Sequence, residues 1–226
     1  MNERTEILGV RVDCLSAKEA MMRAMQFVEN VPVDTIEIMT MDALMNCRGI
    51  EAWASMTEEM DLILPGDPEM LDGTDVSGSK MAGEISNRTF LKMFIRYLQK
   101  NHKKVYLLAP DEAEMERLTD SLRRLSRELH ITGHALISET EGREEEIINE
   151  INGTETDCII SVLPSPYQEM FIGRNRSLLN VKLWLGCGAM LADVRPDNIF
   201  GRMARSLQRF VFRYQLEQRE RKGGDL

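Results

Sequence analysis

Asp157-Cys158-Ile159-Ile160-Ser161-Val162-Leu163-Pro164-Ser165-Pro166-Tyr167-Gln168-Glu169 is the stretch that decides the fold. Its first half is a short, nearly all-apolar run. A strand covered on one face alone would alternate apolar and polar residues, so this one expects cover on both faces. The prolines at 164 and 166 force a turn, and a helical pattern follows from Pro166 to Leu178. A doubly covered strand running into a helix is the unit from which parallel α/β sheets are built. Spacing alone gives Ser165–Glu169 two readings. One is an ordinary helix start, with Ser165 as cap, Pro166 at the first position and Glu169 complementing the dipole. The other is a nucleotide or sugar-phosphate site, because a helix start offers free N–H groups and Gln168 adds a two-faced amide.

Working outward, the same grammar repeats. Thr35 to Thr40 alternates with period two and predicts a strand. Leu62-Ile63-Leu64 predicts a short buried strand that stops at Pro65-Gly66. Further strands are expected at Lys104–Ala109, Ile131–Ile137 and Val181–Leu185, the last ending in Gly186-Cys187-Gly188. Between them lie helical patterns. One is opened by the capping box Ser16…Glu19, and the others cover 42–59, 89–100, 111–129 and 141–151. Pro65 to about Gly83 is small and polar and is expected to be a loop. These elements predict an α/β fold: a Rossmann-like parallel sheet flanked by helices, occupying residues 1–194. The last segment, 195–226, is expected to be a basic helical appendage. Between Arg195 and Lys222 eight basic residues stand against three acids, a net of +5 in a chain whose total is −9.

Composition narrows the function. With 226 residues, 43% hydrophobic and 29% charged, the chain suits one globular domain plus an appendage. The net charge of −9 opposes general nucleic-acid binding. Cys14, Cys47, Cys158 and Cys187 show no zinc or disulfide spacing. The N-terminus has no apolar leader and no stretch is long enough to span a bilayer, so a cytoplasmic protein is expected. The sixteen methionines fall among helical apolar positions and predict core filler.

Few residues carry recognisable chemistry. Gly186-Cys187-Gly188 lacks the third glycine of a dinucleotide fingerprint, and Leu108-Ala109-Pro110 lacks glycine altogether, so no nicotinamide cofactor is expected. His102, His130 and His134 belong to no catalytic pattern. Asp67 and Asp72 are loop carboxylates, each read either as a general base or as a solvated turn residue. Arg202, Arg205, Arg209 and Arg213 share one helical face beside Phe200, Leu207, Phe210 and Tyr214. That face suits phosphate, an anionic membrane surface, or packing on the acidic body.

Taken in order, several pieces resemble the WecG/TagA/CpsF glycosyltransferases. They are Thr40 after a strand, Pro65-Gly66-Asp67, Ile147–Asn152 before Thr156-Asp157, Ser165-Pro-Tyr-Gln-Glu169, and Gly186-Cys-Gly188. The resemblance covers about residues 7–222. It implies transfer of N-acetylmannosamine or a related sugar from a UDP donor to an undecaprenyl-diphosphate-linked sugar, without metal or cofactor. It implies Asp67 as base, with Thr40 and Gln168 in the catalytic pocket. Asp42, Ser165, Glu169, Gly186, Gly188 and Arg213 are implied to bind substrate. Peripheral attachment to the inner face of the membrane through residues 198–222 is implied too, as is self-association. Several positions depart from the family pattern. Pro-Asp-Gly is Pro65-Gly66-Asp67, Thr-x-Asn is Thr40-Met41-Asp42, and the Glu-Arg-x-x-Gly-x-Asp stretch falls on Gly83–Thr89 without its arginine, glycine or second aspartate. The resemblance therefore leaves two readings open: an active transferase, or a non-catalytic homologue that binds a nucleotide sugar or serves as a scaffold.

Overall fold

The computed structural model describes residues 4–30, 33–72, 74, 79–137 and 142–192. The expected appendage over 195–226, with Arg213 and the 198–222 stripe, lies outside the described residues. The chain begins with β1 (Arg4–Ile7) and β2 (Val10–Asp13), an antiparallel hairpin turning at Leu8-Gly9. Then come α1 (Ala17–Phe27), β3 (Asp34–Met39), α2 (Met41–Asn46), α3 (Glu51–Glu58) and β4 (Leu62–Pro65). After a single turn at Pro68–Leu71 follow α4 (Ser79–Ser86), α5 (Thr89–Lys100), β5 (Lys104–Ala109), α6 (Glu112–Leu125) and β6 (His130–Leu136). The last elements are α7 (Glu144–Gly153), β7 (Cys158–Ser161), α8 (Tyr167–Asn175), β8 (Leu183–Gly186) and α9 (Ala189–Ala192).

Six strands form one parallel sheet in the order β4-β3-β8-β7-β5-β6. The connections from β3 to β4, β6 to β7 and β7 to β8 run toward one edge of the sheet. Those from β4 to β5 and β5 to β6 run toward the other. Crossovers of one hand put the two sets of helices on opposite faces. The core divides accordingly. Met41, Leu44, Trp53, Ile147, Ile151 and Phe171, from α2, α3, α7 and α8, pack with Met39, Tyr106, Ile159 and Trp184 of the sheet. On the other face Ala24, Phe94, Leu98, Leu118 and Leu191, from α1, α5, α6 and α9, pack with Ile36, Ile38, Leu107, Ile160 and Leu185. Successive residues of a strand point to opposite faces, which is why Ile36 and Ile38 belong to one layer and Met39 to the other.

The parallel sheet covered on both faces is as expected. Some local expectations change. Residues 42–59 are two helices, α2 and α3, parted by a loop. The segment expected to be all loop from Pro65 to Gly83 contains the turn at Pro68–Leu71 and most of α4. The hairpin β1–β2 was not expected, because strands of four residues carry little pattern. It lies beside β4 and is fastened there by Asp13, which is buried. Its Oδ2 accepts from the backbone N–H of Ile63 at 3.0 Å and its Oδ1 from Arg4 Nε at 2.9 Å. That contact uses an outward-facing N–H of the edge strand, which would otherwise be open to pairing with another chain.

Replacing Asp13 with Ala leaves the Ile63 N–H without its partner, and a buried orphan donor costs about 1–3 kcal/mol. The urea midpoint should fall accordingly and the Ile63 amide should exchange faster. An unshifted midpoint with Ile63 still protected would mean that apolar contacts alone hold the hairpin.

Candidate active site

All carboxyl ends of a parallel sheet lie on one edge, where ligands bind in this class of fold. The segments singled out from sequence follow β3 (Thr40), β4 (Asp67), β7 (Ser165–Glu169) and β8 (Gly186–Gly188). Those strands are four consecutive neighbours, β4-β3-β8-β7, so the sheet order brings the segments together along a single rim.

At one end of the rim, Thr40 caps α2, its hydroxyl accepting from Ala43 N at 3.2 Å. Asp67 reaches the same turn, its Oδ2 accepting from Met41 N at 2.7 Å. The carboxylate and the threonine are both half-buried, while Asp42 on the next residue is exposed. Gly66 explains the displaced carboxylate. Its N–H donates to Met39 O at 2.7 Å, and a Cβ placed on it would stand 2.7 Å from that same oxygen. The strand end requires glycine there, so the acid comes one residue later.

At the other end, α8 starts at Tyr167 and the Ser165–Pro166 peptide is cis. Ser165 does not cap the helix backbone, contrary to the spacing. Its hydroxyl instead donates to Glu169 Oε1 at 2.7 Å, because Glu169 is wholly buried and needs a donor. Gln168 is also wholly buried, and its Nε2 donates to Glu37 Oε1 at 2.6 Å. Glu37, on β3, escaped the sequence reading. Its Oε2 occupies the place where a Cβ on Gly186 would sit, and that Cβ would also lie 2.8 Å from Gln168 Nε2. Gly186 is thus filled from within the protein. Gly188, in contrast, has φ +48° and open space around it.

The electrostatics of this cluster follow from burial. Glu37 is held well above the usual carboxylate range, first by burial and then by the charge of Glu169, with the Gln168 amide opposing. Glu169 is raised by burial as well, against the Ser165 hydroxyl and, more weakly, the Trp53 indole. Trp53 faces Glu169 without reaching hydrogen-bond geometry. Among the described residues Glu37 Oε2, Gln168 Oε1, Glu169 Oε2 and Trp53 Nε1 are buried without a hydrogen-bond partner. Burial, and then Glu169, push the Cys47 thiol up to about 12, so it is no thiolate nucleophile.

Across the same strand ends, on the opposite face, α1, α4 and α5 leave a small cleft of about 50 Å³ lined by Ile38, Leu64, Gly66 and Phe90, with Glu84 and Arg88 as its charged residues. Arg88 sits at the kink between α4 and α5 with φ +51°. Sequence spacing gave no signal for it, since the kink alone brings it to the rim. Its charge reaches Cys187. The histidines lie elsewhere, His130 and His134 on β6 and His102 just beyond α5. No group of three or more His, Cys, Asp or Glu among the described residues is placed to hold a metal ion.

Comparison with known proteins gives one family: the model for the glycosyl transferase WecG/TagA/CpsF family matches residues 5–194. No curated protein matches the chain.

Two outcomes follow from the buried cluster. Gly186→Ala drives a methyl group into the Glu37 carboxylate and the Gln168 amide. It should destabilise by about 1–3 kcal/mol, and pairing it with Glu37→Ala should recover part of that loss in a double-mutant cycle. Strict additivity would mean the groups do not touch. The second outcome concerns pH. A raised folded pKa means the native state binds more protons than the unfolded chain, so this contribution to stability is complete below the ordinary carboxyl value of 4.5 and is lost as pH rises toward the folded pKa. The stability of Glu37→Gln relative to wild type should therefore grow as pH rises above 4.5. A constant difference would contradict the raised pKa.

Proposed function

The chain belongs to the WecG/TagA/CpsF glycosyltransferase family, and on that footing we propose that it moves an N-acetylhexosamine of the N-acetylmannosamine type from a UDP-sugar to an undecaprenyl-diphosphate-linked sugar, with Asp67 as general base. Membership implies glycosyl transfer in cell-envelope polysaccharide synthesis, with a nucleotide-sugar donor and a lipid-linked acceptor. The observation that carries the finer reading is Asp67. Its carboxylate is fixed at Met41 N–H, beside Thr40, where β3 and β4 end. A base must be held in one place to take its proton from a bound hydroxyl.

In this reading Asp67 removes the proton of the acceptor hydroxyl as that oxygen attacks the anomeric carbon. The bond from that carbon to the diphosphate oxygen breaks, and UDP leaves with the electron pair. Thr40 and Asp42 border the acceptor side. Ser165 and Gly188 form the rest of the rim, with Gln168, Glu169 and Gly186 buried beneath it. Arg213 and its neighbours in the appendage meet the diphosphate through guanidinium forks and hold the protein against the anionic inner face of the membrane. No helix among the described residues is long and apolar enough to cross a membrane, so attachment would be peripheral. The reaction needs no metal or cofactor, and the appendage's apolar residues could instead join two copies of the chain.

A second reading is favoured by Gln168, whose amide is buried and engaged by Glu37. In that version the protein binds a nucleotide sugar or a partner enzyme without turning over substrate.

Incubation with UDP-N-acetylmannosamine and a lipid-linked acceptor analogue decides between them. Asp67→Asn should lower the transfer rate by about 100-fold or more. Wild type and variant alike without turnover, with UDP still bound in calorimetry, would establish the second reading and sink the first.

A further inference from the structure

Glu37 is the buried acid that the proposed reaction does not use. It stands in the middle of β3, 1% exposed, on the face covered by α2, α3 and α8. Its two oxygens have different tasks. Oε1 takes the Gln168 amide at 2.6 Å, and Oε2 fills the space over Gly186. Gln168 turns its NH₂ toward Glu37 Oε1 and its own Oε1 away. A carboxamide without such a neighbour can adopt either orientation. The next residue, Glu169, is tied in turn to Ser165, whose side chain is partly exposed at the rim. The contacts thus run from the centre of the sheet to the turn after β7.

We propose that Glu37 is a positioning residue for the transfer site: seated over Gly186, it grips the Gln168 amide and so sets the orientation of that amide and the pose of the Ser165–Glu169 turn. The proposal rests on reading this rim as the transfer site. The titratable groups that interact with Glu37 are Glu169 from α8 and Cys187 beyond β8; Cys47 at the end of α2 interacts with Glu169, and Arg88 with Cys187. Ionising Glu37 sets a second negative charge against Glu169, while the hydrogen bond from the Gln168 amide favours the ionised form. Burial and the charge of Glu169 both raise Glu37, as described above.

The test uses the full chain as wild type, Glu37→Gln and Glu37→Ala, with selective ¹⁵N labelling of glutamine side chains. Wild type and Glu37→Gln should keep the Gln168 amide protons in slow exchange, whereas Glu37→Ala should speed that exchange by roughly tenfold or more, as expected for losing one buried hydrogen bond. In transfer assays Glu37→Ala should raise the donor KM about tenfold with little change in kcat. Glu37→Gln should restore the KM. A Gln168 amide equally protected in Glu37→Ala, or a lower melting temperature with KM unchanged, would reduce Glu37 to a space-filling role and overturn the proposal. A wild type without turnover would remove the transfer reading alone. The amide exchange and the UDP affinity measured by calorimetry would then decide Glu37, both changed in Glu37→Ala supporting it and both unchanged overturning it.

Discussion

A parallel sheet has two faces to bury and a single rim to offer. Every crossover must travel back along one face, so helices accumulate on both, and each strand ends on the same side. The rest of this molecule follows from that constraint. It explains why Cys158–Val162 is nearly all apolar and why the core is split into two layers. It also explains why residues as distant in sequence as Thr40, Asp67, Ser165 and Gly188 share a rim. The hairpin β1–β2 addresses what the constraint leaves over, an edge strand with outward-facing amides, and Asp13 closes that gap with one carboxylate.

The same cover makes polar groups inside the sheet costly. Thr35 and Glu37 are each 1% exposed, and they are accommodated differently. Thr35 meets Asp61, whose Oδ2 accepts from the Thr35 backbone and hydroxyl and from Arg176 Nη2. At that lower end of the sheet the charge is matched, and Arg176 also ties the Val33 and Glu59 carbonyls. Glu37, nearer the rim, has an amide donor and an acidic neighbour instead. Two carboxyl groups near one another in a dry interior favour protonation, and their polar atoms are only partly satisfied. One sheet therefore carries a closed, matched polar cluster at its base and an under-satisfied one beneath its rim. Unsatisfied groups of the second kind are concentrated where function lies more often than where packing alone is at stake.

Much of this was legible in the sequence, for reasons that can be named. The nearly all-apolar run at 158–162 and the turn and helix after it pointed to a doubly covered strand. The rim segments were found because turn residues and small residues mark strand ends. Glu37 was not found because Thr-Ile-Glu-Ile-Met has the alternation of a half-exposed strand. What buries its polar side is α2, α3 and α8, and α8 lies more than a hundred residues away. Ser165 was assigned to the helix backbone by local spacing, and the buried Glu169 took its hydroxyl instead. Arg88 owes its place to a kink between two helices, a feature with no periodic signature. Gly66 shows the reverse case. A departure from the family pattern looked like a displaced acid, and the close approach of the Met39 carbonyl gives the reason for it.

The strand order has a consequence for how the protein comes into being. The central strands β8 and β7 are the last two made, and they separate β4-β3 from β5-β6. A chain leaving the ribosome can pair β3 with β4 and β5 with β6, yet these halves have no contact through the sheet until residues 158–186 wedge between them. Assembly therefore ends with insertion rather than addition at an edge, and long-range closure of this kind is slow. The rim is the last thing to exist. A nascent or truncated chain that stops short of Gly186 can pair β3 with β4 and so hold Thr40 beside Asp67, but without β8 nothing joins that half of the sheet to the turn after β7.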